Sequence, residues 1–184
     1  MKASTSRYAV LGMLSVCPMS GYDIKKIIEQ SIAHFWNESY GRIYPVLQEL
    51  EKQGLATRKT ERTEGKPDRQ VYSITRAGER ELHAWLAAPV KSEAVRSELL
   101  LKLFFGSRMS AAERESHVVA ARERHASLLK VYEATAAGLK KTHAQNPGLP
   151  FWLITLNFGR RRSESIMAWC DDTLRELKKV AGRR

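Results

Sequence analysis

Apolar positions recur along the chain at two different periods. From Tyr8 to Val16, the residues Val10, Leu11 and Leu14 fall on one side of a short helix that Cys17-Pro18 ends. Ser20-Gly21-Tyr22-Asp23 has the spacing of a capping box, with Asp23 in the place usually held by Glu or Gln. It opens a second helix, Tyr22 to about Phe35, with the stripe Ile24, Ile27, Ile28 and Ile32. After Asn37-Glu38-Ser39 a third helix is predicted over about Tyr40 to Gln53, turning Ile43, Val46, Leu47 and Leu50 inward and stopping at Gly54. The period then changes to that of strands. Residues 55–60 and 70–74 flank the turn cluster Glu64-Gly65-Lys66-Pro67-Asp68, a hairpin with a charged tip. Thr75 caps a helix over Arg76 to Ala88 with Leu82, Trp85 and Leu86 apolar, and Pro89 marks a domain boundary.

Beyond Pro89 the pattern is helical throughout. Glu93 to Phe105 contains the apolar run Leu99-Leu100-Leu101-Lys102-Leu103-Phe104-Phe105, and the capping box Ser110-Ala111-Ala112-Glu113 starts a helix that reaches about Ala144. Asn146-Pro147-Gly148-Leu149-Pro150 is a loop, and a last helix runs from about Trp152 to near Ala181-Gly182. That helix carries Leu156, Ile166, Cys170, Leu174 and Leu177 at helical spacing, more apolar surface than one small domain can cover, and these residues are assigned to dimerisation.

Three helices, a hairpin and a further helix follow the order of a winged helix-turn-helix, whose third helix enters the DNA major groove while the hairpin lies along the backbone or minor groove. The expected architecture is therefore mainly α with a small β-hairpin. It has a winged helix-turn-helix DNA-binding domain over 1–88 and a helical dimerisation domain over 89–184.

Charge changes this picture less than its size suggests. Of 184 residues, 31 are Lys or Arg and 20 Asp or Glu, a formal charge of +11, and 43% hydrophobic residues exclude a disordered basic tail. Residues 1–88 hold 13 basic and 10 acidic groups and residues 89–184 hold 18 and 10, so most of the excess is C-terminal. It serves long-range steering and solubility rather than base reading. No run of 18 apolar residues occurs, and the start leading into Tyr8 to Val16 has the form of neither a membrane span nor a secretory leader; a cytoplasmic protein without membrane contact is expected. Cys17 and Cys170 lie 153 positions apart and are read as reduced and mostly buried.

On the third helix, Gly41, Arg42, Pro45, Gln48 and Glu49 are left on the exposed side. Base edges are usually read from the N-terminal part of a recognition helix, where an Arg can donate two hydrogen bonds to guanine O6 and N7. Arg42 is the one cation there. Ser39 and Tyr40, at a helix start with unpaired N–H groups, suit a phosphate, and Tyr44 at the rim can add its hydroxyl. In the hairpin, Lys66 and Arg69 at or beside the tip are expected on phosphate or minor groove. Pro45 removes a hydrogen bond to the Gly41 carbonyl, so a bend or irregular first turn is expected.

Three stretches together resemble the PadR family of bacterial transcriptional regulators: Ser20-Gly21-Tyr22-Asp23-Ile24; the run from Gly41-Arg42-Ile43-Tyr44-Pro45 through Gly54-Leu55; and Val71-Tyr72-Ser73-Ile74-Thr75-Arg76-Ala77-Gly78. The segment 99–105 and the two long helices after it look like the larger subfamily with a virulence-activator-like helical C-terminal domain. The resemblance implies a homodimer whose C-terminal helices pair two subunits, each offering a recognition helix and wing to a roughly palindromic operator. Arg42 departs from it, standing at a position that is often a small hydroxyl residue. Some members sense small, often aromatic molecules.

Plainer readings cover the remaining features. Arg160-Arg161-Arg162 fans around a helix and is read as a solvated or salt-bridged face. Trp85, Phe104, Phe105, Trp152, Phe158 and Trp169 are read as core and dimer interface. His34, His83, His117, His125 and His143 lack ligand spacing; even His117 and His125 sit about 12 Å apart along a helix axis. No nucleophile elbow or phosphate-cradling glycine loop is present, so neither enzyme activity nor a metal or other cofactor is expected. The sequence reading is a homodimeric, sequence-specific DNA-binding transcriptional regulator, a repressor rather than an activator, with double-stranded DNA and a second copy as partners and scope for a small aromatic effector. The alternative is a winged-helix protein-interaction module without DNA affinity.

Overall fold

The computed structural model describes residues 5–33, 35–62, 68–90 and 96–181. They belong to two compact units that divide between Lys91 and Ser92. In the first, α1 (Thr5–Val16), α2 (Gly21–Ser31) and α3 (Tyr40–Lys52) precede an antiparallel hairpin of β1 (Ala56–Glu61) and β2 (Arg69–Ile74), followed by α4 (Arg76–Ala87). The strands pair from Ala56 with Ile74 to Glu61 with Arg69. Met19 exchanges both backbone hydrogen bonds with Tyr72 at 3.0 Å, tying the entry to α2 onto the hairpin. The core is the set of inward stripes meeting one another: Val10, Leu11 and Leu14 from α1, Ile24 and Ile28 from α2, Ile43, Leu47 and Leu50 from α3, closed by Tyr72 and Leu82.

Local chemistry sets the helix ends. The Ser20–Asp23 capping box is formed, and Thr75 Oγ1 accepts from the Gly78 amide at 3.1 Å to cap α4. At the end of α3, the Leu55 amide donates to the Leu50 carbonyl and the Gly54 amide to the Glu51 carbonyl, with Gly54 at φ 70°, the paired bonds of a Schellman stop. The second helix ends earlier than its apolar pattern: Ser31 Oγ donates to the Ile27 carbonyl at 2.6 Å and Ile32 is the C-cap, which leaves Phe35 outside it. In α4 only Leu82 of its three predicted apolar contacts is buried. Trp85 stacks on Tyr8 with ring centroids 4.7 Å apart while keeping an exposed edge, and Leu86 is exposed. Cys17, expected inside, is exposed because it follows the last turn of α1.

The second unit comprises α5 (Glu98–Phe104), a 3-10 turn (Gly106–Arg108), α6 (Ala111–Thr142) and α7 (Leu149–Ala181). Glu113 completes the capping box of Ser110, and buried Arg114 donates to the Gly106 and Met109 carbonyls at 2.7 and 2.6 Å, pinning the 3-10 turn to α6. α7 begins at Leu149, ahead of the predicted start, because Pro150 sits in a first turn whose amides have no helical partner anyway. α6 and α7 pack antiparallel. Arg122 Nε donates to Asp171 at 2.6 Å, and His125 Nδ1 lies 3.0 Å from the buried Ser163 hydroxyl.

Two residues assigned to dimerisation are consumed by this packing. Cys170 is completely inaccessible against Val118 and Ala121, and Leu156 is buried, so neither has surface left for a second subunit. Ile166, Leu174 and Leu177 pack on the same cluster while remaining partly exposed.

Burial, and then Arg124 and Arg162, push the His125 imidazole below its ordinary value of 6.5. As pH falls through that value the unfolded chain takes up a proton that the folded chain resists, so stability present above it is lost below. Urea unfolding is expected to show a lower midpoint at about pH 5.5 than at about pH 7.5, and His125→Gln to remove part of that difference.

Candidate nucleic-acid interface

The α3 helix presents two unlike faces. Ile43, Val46, Leu47 and Leu50 are buried, while Tyr40, Gly41, Arg42, Tyr44, Pro45, Gln48 and Glu49 are exposed. Ser39 is the N-cap; its side chain makes no capping hydrogen bond, and its carbonyl accepts from the amides of Arg42 and Ile43, both at 3.0 Å. One continuous helix runs through Pro45. Gly41 and Pro45 both lie on the exposed face, so the carbonyl that loses its partner is open to water, and the penalty is smaller than in a helix interior.

Tyr40 and Tyr44 extend into a feature that the sequence did not reveal. Tyr22, at the start of α2, stacks on Tyr40 at 6.4 Å between centroids, and Tyr40 stacks on Tyr44 at 6.3 Å. All three are exposed. Gly21 permits the arrangement, since a Cβ there would lie 2.7 Å from Cε1 of Tyr44. Desolvation, followed by the charge of Glu29, holds the Tyr40 phenol above its ordinary value, so it remains a proton donor at working pH. The result is a row of three phenols across the starts of α2 and α3, each able to donate to an anionic oxygen.

Arg42, two residues after Tyr40, has its side chain 64% exposed, and its Nε lies 4.0 Å from a carboxylate oxygen of Glu38, one turn back. On the hairpin, Arg69 opens β2 and donates to Asp23 of the α2 capping box. Burial works to raise the Asp23 carboxyl, but the hydroxyl and amide of Ser20 and the Arg69 guanidinium outweigh it and hold the group below its ordinary value. Arg69 therefore ties the hairpin to α2, while its side chain stays 52% exposed. Arg58 and Arg62 are likewise paired, with Glu51 at 3.1 Å and Asp68 at 3.5 Å. Lys66 lies outside the described residues.

Residues 10–84 match the transcriptional regulator PadR-like family and residues 95–178 match the virulence activator alpha C-terminal family. A Streptococcus mutans protein of known structure is 30% identical, covering 91% of this chain and 97% of its own, with a TM-score of 0.79. The chain belongs to the PadR-like family. The negative transcriptional regulator PadR of Bacillus subtilis is 28% identical over 94% of this chain and 97% of its own length. Its crystal structure with operator DNA superposes with a TM-score of 0.83, at 26% identity over 95% of this chain and 99% of that one. It has also been crystallised with p-coumaric acid. The Vibrio cholerae virulence activator AphA matches at TM-score 0.74 and 28% identity over 95% and 98% of the two chains.

This PadR-like chain is thus a winged helix-turn-helix regulator with a virulence-activator-like helical C-terminal part. In that part, α5 turns Leu99 and Leu103 inward and leaves Leu100, Leu101 and Phe104 exposed, while Phe151, Ile154 and Phe158 form an exposed apolar stripe on α7. Phe104, Phe105 and Phe158, aromatic residues that the sequence suits to core or dimer interface, are exposed within the chain. Arg160 and Arg161 share Glu164, a salt-bridged face. No described helix is long and apolar enough to cross a membrane.

Proposed function

We propose that the protein is a homodimeric repressor that binds a roughly palindromic operator, inserting α3 into the major groove so that Arg42 reads a base while the row Tyr22, Tyr40 and Tyr44, with the helix start at Ser39 to Gly41, holds phosphates. The observation that carries this reading is the split of α3 into a buried apolar face and an exposed face that bears Arg42 near its start, with Tyr40 and Tyr44 of the stacked row on the same helix. Likeness over almost the whole chain to a negative regulator seen on operator DNA supports both the DNA partner and the sign of regulation. Arg69 positions the wing through Asp23, and the wing follows the backbone or minor groove, with Lys66 as its further cation. Selection of bound duplexes from random DNA is expected to return an inverted repeat with half-sites about one helical turn apart. Recovery of no motif counts against the reading.

The second subunit covers the exposed apolar residues of α5 and α7, with Ile166, Leu174 and Leu177 contributing their free edges. Sedimentation is expected to show a dimer at micromolar concentration, and Phe158→Asp combined with Ile154→Asp to give a monomer. A dimer that survives both substitutions places the contact elsewhere. A small aromatic acid is the effector class suggested by the relative's complex with p-coumaric acid, and release of operator DNA on its addition tests it.

A further inference from the structure

Glu38 combines a carboxylate with almost complete burial. Its side chain is 4% exposed, although it immediately precedes the N-cap of an exposed helix, and it lines a cavity of about 370 Å³ with Ser6, Trp36 and Arg42. The loop that delivers it is fixed, because Lys25, itself buried, donates to Asn37 at 3.1 Å and pairs with Glu29 at 3.0 Å. Burying a carboxylate is costly unless a cation or hydrogen-bond donors compensate. Arg42 supplies the cation, at a separation of 4.0 Å that is too long for a hydrogen bond. The guanidinium is therefore attracted toward one place while its N–H groups keep their donor capacity.

We infer that Glu38 is a positioning residue that aims Arg42 at a base edge and so sets the preference for the base it reads. The inference rests on the reading of Arg42 as the base reader. Without Glu38, a long exposed guanidinium pairs with any phosphate within reach, which strengthens binding to every sequence alike. With Glu38 behind it, the pull of phosphate is offset. A guanine edge, offering two coplanar acceptors, keeps its advantage because the fork geometry of Arg matches it. The carboxylate thus gains discrimination by weakening the wrong contacts more than the right one.

The test measures binding of the full-length protein to the selected operator, to operators altered singly at each position, and to unrelated duplex DNA. Glu38→Gln keeps the shape and removes the charge. It is expected to bind unrelated DNA more tightly and to lower discrimination at the base read by Arg42 by about 5- to 10-fold, with other positions unmoved. In an Arg42→Ala background, Glu38→Gln is expected to change no base preference. A merely structural role for Glu38 would lower the melting temperature and weaken all sequences together, and that result overturns the inference. If Glu38→Gln does not fold, Glu38→Asp, which withdraws the charge by one methylene, is expected to weaken the same single preference; unchanged preference overturns the inference. If Arg42→Ala flattens one position and neither Glu38 variant does, the inference alone fails. If Arg42→Ala flattens none, the base-reader assignment fails first and the inference with it.

Discussion

Replacing Arg42 with alanine is expected to weaken operator binding by about 1–3 kcal/mol for each lost base contact and to relax preference at one position in each half-site. The side chain stands on the exposed face of α3, two residues into the helix from its first residue Tyr40, where a recognition helix meets base edges. The side chain takes no part in the apolar core, but it supplies the cation beside the buried Glu38 carboxylate, so its removal should also lower the unfolding midpoint, and the loss confined to one base position is what marks the base contact. Tyr44→Phe is the informative contrast. It deletes one phenol hydroxyl while retaining the ring that packs over Gly21 and stacks on Tyr40, so it should weaken operator and unrelated DNA alike by about 0.5–1.5 kcal/mol. Titrations at two salt concentrations separate the two effects, since base discrimination persists where the electrostatic part of binding fades. If neither variant alters DNA binding, the protein-interaction reading of this winged helix gains the ground that DNA recognition loses.

The division between what could be read in the sequence and what could not follows the range of the forces involved. The buried arc of α3, the boxes at Ser20 and Ser110, the cap at Thr75 and the stop at Gly54 rest on residues within one or two turns of each other, and all are present. Periodicity, in contrast, identifies an apolar face without naming what covers it. On α7 the set Leu156, Ile166, Cys170, Leu174 and Leu177 has helical spacing, yet α6 takes Cys170, because Ala121 is small enough to let the helices approach there. The stripe Phe151, Ile154 and Phe158, equally periodic, is left exposed. Charge behaves in the same way. Lys66 and Arg69 looked alike on a hairpin, but Asp23 lies 46 positions from Arg69 in sequence and claims it. Tyr22 joins Tyr40 only because α2 and α3 start side by side, and Glu38 is buried only because α1 supplies a wall of its cavity.

The second large effect is expected at Gly78, where replacement by alanine should destabilise the winged helix by about 1–3 kcal/mol or more. A Cβ at this position would lie 2.2 Å from the Leu55 carbonyl oxygen and 2.8 Å from Cγ1 of Ile74. The Ile74 side chain could turn away, but the carbonyl has no such freedom. It accepts the Thr75 amide at 3.0 Å, while the Leu55 amide donates to the Leu50 carbonyl at 2.9 Å to close the last turn of α3. Thr75 adds a second link, donating from its hydroxyl to the Gly54 carbonyl at 2.7 Å and capping the Gly78 amide at the same time. A side chain at 78 must therefore shift either the end of the recognition helix or the exit of the wing, and the two are hydrogen-bonded to each other. Gly78→Ala should lower the urea midpoint and weaken binding to all sequences alike, unlike Arg42→Ala, whose loss of affinity falls on one base position in each half-site. Gly138→Ala supplies the opposite case. It sits in the interior of α6 with nothing within 4 Å of the added methyl, so helix propensity alone predicts a gain of up to about 1 kcal/mol. Equal and small effects from the two substitutions would show that the contact at Leu55 yields, and that the helix-to-wing junction does not depend on the missing Cβ.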